Sequence, residues 1–197
     1  MNTQKVAIFI DGNNFYHGLK NIIGNANIDY RKFAELLVED KQLTRIYYYN
    51  SPIDQTANPE GYREQQGFFA YLQCVPRLCL TLGRLEKRKI KLPNEIYQRV
   101  KDLIPDQTIT TYVEKGVDTK LAVDMVTLAY KNMYDVAILV SGDGDFVPVV
   151  KGVQDFGKEV VNAYFKEKEI KGYHLRKVCD SFIRLDKIYL APCLRSP

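Results

Sequence analysis

The sequence predicts an α/β protein, a three-layer α/β/α sandwich around a mostly parallel central sheet. Three observations carry that expectation. The runs "KVAIFI" (5–10) and "DVAILV" (135–140) are almost continuously apolar, as in strands covered on both faces. Strand-like runs alternate with stretches of helical period along most of the chain, the order that builds parallel sheets. At 197 residues, with 46% hydrophobic and 26% charged residues, the chain suits one globular domain with a sizeable core.

The elements follow in order. After "KVAIFI", "NNFYHGLKNIIG" and "DYRKFAELLVE" read as helices, the second with Asp29 as candidate N-cap. "TRIYYYN" (44–50) is rich in strand formers and stops at "SP". "PEGYREQQGFFAYLQ" (59–73) is a helix with Pro59 at its start. "RLCLTLGRLEKRK" (77–89) and "TITTYVE" (108–114) read as two long strands with a short helix, "NEIYQRVKDLI", between them. "VDTKLAVDMVTLAYKN" (117–132) is the clearest helix, since Leu121, Met125 and Leu128 keep its period. Beyond "DVAILV" come a helix over 145–157 ending at Gly157, the strand "KEVVNAYF", the short helix "GYHLRKVCD" and the last strand "SFIRLD". The chain therefore reads as a single domain, 1–197, with a basic hairpin and helix extension around 83–107.

Composition removes several function classes. No apolar run approaches the ~20 residues of a membrane span. The N-terminus starts a strand almost at once, without the pattern of a secretory signal, so a cytoplasmic location is expected. Four cysteines without CxxC spacing and only two histidines argue against zinc and against a disulfide framework. There is no GxxxxGK[ST] or GxGxxG pattern to hold a nucleotide.

The net charge of +4 is concentrated. In "GRLEKRKIK" (83–91), Arg84, Lys87, Arg88, Lys89 and Lys91 face one acid, Glu86. Such a strip suits a polyanion, although a solvated hairpin has the same composition.

In parallel sheets ligands sit beyond the carboxyl ends of the strands. Asp11 follows the first apolar strand directly, and Asp143 and Asp145 follow "VAILV" as closely. Asp118 opens the helix after "TITTYVE", and Asp124 lies further along it. Acids gathered on one edge repel unless a hard cation lies among them, and Mg²⁺ prefers such oxygens. Each acid also has a structural role open to it. An aspartate after a strand caps helices, Asp145 being the strongest case, and Asp124 can pair with Lys120 one turn back. Asn14 is a candidate to orient a carboxylate or water, with Gly12 and Asn13 as turn residues. Ser141 can bond Asp143 or a phosphate, and Lys115 can meet a phosphate. His17 and His174 do not stand out as general bases, so activation of water is expected at the cation.

"VAIFIDGNNFY", "KGVDTKLAVDMVTLA" and "LVSGDGDFVPVV", in that order, closely resemble the NYN domains, relatives of PIN-domain nucleases, and among these the LabA-like group. The likeness extends to "AYFKE" and "LRKVCDSFIRLD" near the end; "DGD" alone would not be specific. The resemblance implies a PIN-like, Rossmann-like fold. It also implies an acidic pocket for Mg²⁺ or Mn²⁺ and metal-dependent cleavage of RNA phosphodiesters, that is, a ribonuclease. The family's main acids fall on Asp11, Asp118 and Asp143, with Asp145 and Asp124 at accompanying positions. Asp11 and Asp143 are expected to bind the first metal, and Asp118 and Asp145 to complete its site.

The expected partner is RNA, single-stranded or structured, held along Arg84, Lys87, Arg88, Lys89, Lys91 and Lys115. Among the 14 tyrosines, Tyr16 and Tyr62 are candidates to stack on unpaired bases. Phe68, Phe69 and Tyr71 can pack internally or form a homodimer. Two alternatives remain at this stage. One is a regulatory module of the same fold that binds RNA or protein without catalysis. The other is an α/β phosphatase, against which stands Asn13 where a haloacid-dehalogenase-type enzyme has its second aspartate.

Overall fold

A computed structural model describes residues 3–24, 26–103, 106–165 and 173–195. The far end of the expected 94–104 helix, Gly172, and Lys166 and Glu167 of "AYFKE" lie outside the described residues.

Six strands form one sheet: β1 (Lys5–Asp11), β2 (Gln42–Asn50), β3 (Leu78–Leu82), β6 (Val136–Val140), β7 (Glu159–Phe165) and β8 (Ser181–Leu185). Their order is β3-β2-β1-β6-β7-β8, and every pairing is parallel. The chain runs outward from β1 on one side and then outward from β6 on the other. The sheet therefore reverses its direction of winding between β1 and β6, where a crevice opens beyond the strand ends. The remaining two strands, β4 (Arg84–Lys91) and β5 (Thr108–Lys115), pair antiparallel in a ribbon of their own.

Alternation along β1 explains the layers. Val6, Ile8 and Ile10 enter one core cluster with Phe15, Phe33, Leu37, Phe69 and Leu190. These come from α1 (Gly12–Gly18), α2 (Tyr30–Val38), α3 (Pro59–Gln73) and α8 (Lys187–Leu190). Ala7 and Phe9 enter the opposite cluster with Leu121, Met125, Val150 and Leu175. Those lie on α5 (Val117–Tyr130), α6 (Val147–Asp155) and α7 (Tyr173–Val178). Phe15 stacks on Phe33 with ring centroids 4.9 Å apart, an arrangement worth about 0.5–1.5 kcal/mol beyond the buried area. Phe69 is buried, and Phe68 and Tyr71 pack beside Tyr30, so these three rings are engaged internally.

Helix ends follow local chemistry. Asp29 caps α2, accepting from the backbone N–H groups of Arg31 (3.0 Å) and Lys32 (3.2 Å). Asn58 accepts from Gly61 N–H at 2.9 Å, with Pro59 in the first turn of α3. The stretch "NNFYHGLKNIIG" is not one regular helix. After α1 it widens into a π-helix over Leu19–Ile23, which stops at Gly24 (φ 81°). α6 is shorter than expected because 144–146 form a 3-10 turn before it.

The expected strand over 77–89 is two strands that break at Gly83. Gly83 N–H still bonds the Asn50 carbonyl at 2.7 Å, the last bond to β2. A side chain there would meet Val117 Cγ2 at 2.6 Å and the Lys115 carbonyl at 2.8 Å. The apolar run ends at Leu82, and the basic residues that follow cannot continue beneath a helical layer. They leave as β4 and return as β5, with α4 (Asn94–Val100) between them. α8 and the 3-10 turn Ala191–Cys193 add a C-terminal segment that bridges back to Ile28 through Leu194.

Gly12 is required for proximity and not for a turn. It is the first residue of α1, and a Cβ there would lie 2.6 Å from the Tyr49 carbonyl and 2.5 Å from the Tyr48 ring. Gly12→Ala is expected to cost about 1–3 kcal/mol, the range for overpacking, read as a lower denaturant midpoint with an unchanged slope.

Candidate active site

Asp11 is the last residue of β1 and the N-cap of α1. Its Oδ1 accepts from Asn14 N–H at 3.1 Å and its Oδ2 from the Ser141 hydroxyl at 3.0 Å. Ser141 Oγ in turn accepts from Asp143 N–H at 3.1 Å. Asn14 Oδ1 accepts from Gly142 N–H at 3.0 Å. The loops after β1 and β6 are thus laced together by side chains across the reversal point of the sheet. Ser141 and Asn14 serve that lacing directly.

Asp143 and Asp145 divide the work differently from the sequence expectation. Asp143, not Asp145, is the cap: its Oδ1 accepts from Asp145 N–H at 2.9 Å. A 3-10 turn begins one residue earlier than the expected helix, which makes Asp143 the flanking position. Asp145 is exposed and does not line the cavity that holds Asp11, Asp118 and Asp143, although its charge acts on Asp118.

Asp11, Asp118 and Asp143 line one cavity of about 810 Å³, together with Asn14, His17, Glu114 and His174. Asp11 is 6% exposed. Burial pushes its carboxyl up to about 6; the bonds from Asn14 and Ser141 oppose this, and the charges of Asp118 and Asp143 add to it. Burial also raises Asp118, with Asp143 and Asp145 repelling it further. Glu114 is raised by burial and by Asp118, with His17 opposing.

Among the described residues, no ion pair involves Asp11, Asp118, Asp143 or Asp145, and no lysine or arginine pairs with the gathered acids. The donors are hard oxygens, which suits Mg²⁺ or Mn²⁺ and does not suit a thiolate-seeking metal. Among the described residues, no three His, Cys, Asp or Glu side chains are arranged to hold a metal ion as they stand.

Asp124 is not part of this wall. Its Oδ2 accepts the Tyr49 hydroxyl at 2.8 Å. Six residues beyond Asp118, it has rotated round α5 toward β2. Nor does it pair with Lys120, whose amino group reaches the Leu82 carbonyl.

The basic strip also separates. Residues directly opposite in an antiparallel pair share a face. Lys87 stands opposite Tyr112, Lys89 opposite Thr110 and Lys91 opposite Thr108, on the face that carries Glu114 opposite Leu85. Arg84 opposite Lys115, and Arg88 opposite Thr111, lie on the other face, where Arg88 pairs with Glu86 at 2.9 Å. Only the three lysines share the face of a cavity residue.

Two contributors, Glu114 and Asn162, escaped sequence reasoning, and the two histidines it set aside as general bases line the cavity. Glu114 sits at the end of β5, and the strand-end rule applied to Asp11 would have found it. His17 lies three residues after Asn14 on α1, near enough to reach the same wall. His174 reaches it from α7. Asn162 is fully buried on β7, where its amide donates to the carbonyls of Ser141 (2.9 Å) and Leu139 (3.1 Å), fixing the end of β6. An asparagine within an apolar strand was its only signal.

Ser141→Ala removes a hydrogen bond that favours the ionised Asp11 carboxylate. Its titration midpoint is expected to move further upward, measured by carboxyl-carbon NMR against pH without divalent metal.

The family model of the NYN domain matches residues 5–186. Among solved structures, the crystal structure of a protein of unknown function from Vibrio parahaemolyticus is similar, with a TM-score of 0.65 and 21% identity. The match covers 93% of this chain and 94% of that one, and at such identity it speaks for the fold. No match was found among curated proteins.

Proposed function

This chain belongs to the NYN domain family, and from that premise we propose that it is a metal-dependent ribonuclease acting at the Asp11–Asp118–Asp143 cavity. The observation that carries the reading is the convergence there of acids from three distant segments, with no ion pair to them among the described residues. A bound Mg²⁺ or Mn²⁺ would activate a water and neutralise charge developing on the phosphate.

The chain's own residues set the geometry for this. Asp11 and Asp143 would hold the cation through the lone pairs that capping leaves free. Asp118 would complete the site across the cavity, and Asp145 would act from outside the cavity lining, through its charge or through water. Asn14, Ser141 and Asn162 fix the two loops so that the carboxylates do not part under repulsion. His17 and His174 lie within the same cavity as donors of a proton to the leaving oxygen.

Incubation of the purified chain with single-stranded and structured RNA, in Mn²⁺, Mg²⁺ or chelator, tests the proposal. Cleavage that requires metal supports it, and RNA left intact in every metal refutes it. A second reading, a binding module without catalysis, draws on the lack of a closed three-ligand cage among the described residues. Metal-independent RNA binding with no cleavage is its signature.

Replacing Lys87, Lys89 and Lys91 together by alanine should weaken RNA binding at least tenfold at low salt. It should reduce the salt slope by about 2, at ~0.7 per single-strand phosphate contact. Arg84→Ala with Arg88→Ala should do less, because that face is turned from Glu114. Equal effects of the two sets, measured by fluorescence anisotropy across salt, would remove the directional argument.

A further inference from the structure

The ribbon of β4 and β5 has no core of its own. No described residue from 84 to 115 is buried, those of α4 included. Two strands alone are marginal in water and become stable when further strands join them. Among the described residues no third strand does so, because β4 and β5 pair only with each other.

The two outer edges of the ribbon differ. β4 carries Arg84, Lys87, Arg88, Lys89 and Lys91, and such cations keep an edge strand from pairing with others. β5 lacks the usual protections over 108–113. There "TITTYV" holds no charge, no proline and no glycine, and five of its six residues are β-branched. Its register with β4 runs the full eight residues without a bulge. The edges of the main sheet are better guarded. On β3 the Lys120 amino group reaches the Leu82 carbonyl, and β8 is five residues long with Arg184 within it.

β5 is also complementary to itself. Laid antiparallel on a second copy with Thr111 opposite Thr111, it sets Ile109 opposite Val113 and Thr110 opposite Tyr112. Glu114 then meets Thr108, and Lys115 meets Gln107, so no like charges face each other. β4 laid on itself would bring cations opposite cations. β5 laid on β4 of another copy would leave a free β5 edge and grow head to tail. Pairing of β5 with β5 closes at two copies, with only the lysine-guarded edges outward.

We propose that β5 is a dimerisation edge. Two copies of this chain join there in one four-stranded antiparallel sheet, β4-β5-β5-β4, about a two-fold axis perpendicular to the sheet. Such an axis keeps equivalent residues on the same face. On one face Ile90, Ile109 and the second copy's Val113 fall in a row, which gives neighbours to Ile90, 48% exposed in the single chain. On the other face the Lys87 and Lys89 side chains of both copies lie together. The inference does not rest on the ribonuclease reading, and the surface is not that of Phe68, Phe69 and Tyr71.

The test is the mass of the full chain in solution, by sedimentation velocity over a range of concentrations in reducing buffer with chelator and without RNA. A concentration-dependent dimer is expected. In Thr111→Glu a carboxylate faces Arg88 within the ribbon but faces its own copy across the interface. The dimer should weaken about tenfold or more, because like charges directly opposite repel, with the circular dichroism unchanged. Thr111→Val should keep the dimer. Directly opposite Cα atoms lie about 4.5–5.5 Å apart, within the span of a disulfide. Thr111→Cys treated with copper phenanthroline as oxidant should therefore give a covalent dimer that wild type and Arg88→Cys do not. A wild type that is monomeric at every concentration overturns the proposal and leaves the edge to a strand of another protein. A dimer that survives Thr111→Glu and is not linked through Thr111→Cys overturns it too, since the copies then meet elsewhere.

Discussion

Asp11→Asn is expected to abolish the proposed RNA hydrolysis and to stabilise the fold at once. RNA hydrolysis should fall about a thousandfold or more, since metal-assisted charge neutralisation is worth several kcal/mol and each 1.36 kcal/mol is tenfold in rate. In chelator at pH 7 the same change should raise the melting temperature. The buried carboxylate is held at about 6 against an ordinary 3.8, a displacement worth roughly 3 kcal/mol against the charged folded state. Asparagine still caps α1, while its amide must replace the bond from Ser141. A net gain of about 1–2 kcal/mol corresponds to about 3–6 °C for a chain of this size. Initial rates and thermal melts of the purified variant check both halves. A lower melting temperature with intact secondary structure would show that the charge is not the burden inferred here.

In wild type without metal, stability will fall as pH rises from about 4 to about 6, then level off. The raised Asp11 pKa means that the folded chain keeps a proton the unfolded chain has lost, so the slope of stability against pH is negative across that window. Its contribution is present below 3.8 and is gone above about 6, a change of roughly 3 kcal/mol. Asp118 and Glu114, both raised, act in the same direction. Mn²⁺ or Mg²⁺ binds the ionised form, so added metal should restore stability at pH 7.5 and have little effect at pH 4.5. Urea midpoints across pH, with metal and with chelator, measure this. Equal stabilisation by metal at both pH values would place the cation away from these acids.

The sheet was legible because its strands advertise themselves: "KVAIFI" and "DVAILV" are covered on both faces and carry little else. The positions of Asp11 and Asp143 followed from the strand ends alone. What the sequence hid was set by tertiary geometry. The break at Gly83 depends on how close Val117 and Lys115 approach, which lie more than thirty residues away. The exchange of capping from Asp145 to Asp143 turns on a 3-10 turn whose start is one residue from the expected one. The strip 84–91 looked uniform because composition ignores alternation, and pairing with β5 is what separates the lysines from the arginines. Asp124 shares its helix with Asp118, but helical rotation sends it to Tyr49.

The ribbon departs at Gly83 and rejoins at Gly116, and its two ends are held side by side by the pairing of Arg84 with Lys115. An insertion anchored at adjacent points behaves as an interchangeable cassette. Its outer part, 86–113, can lengthen, shorten or change sign while the six-stranded sheet and its acids keep their places. On the ribonuclease proposal, target choice and chemistry would then be free to diverge independently, and grafting a ribbon from one relative to another would test whether it reassigns the RNA without rebuilding the acidic end.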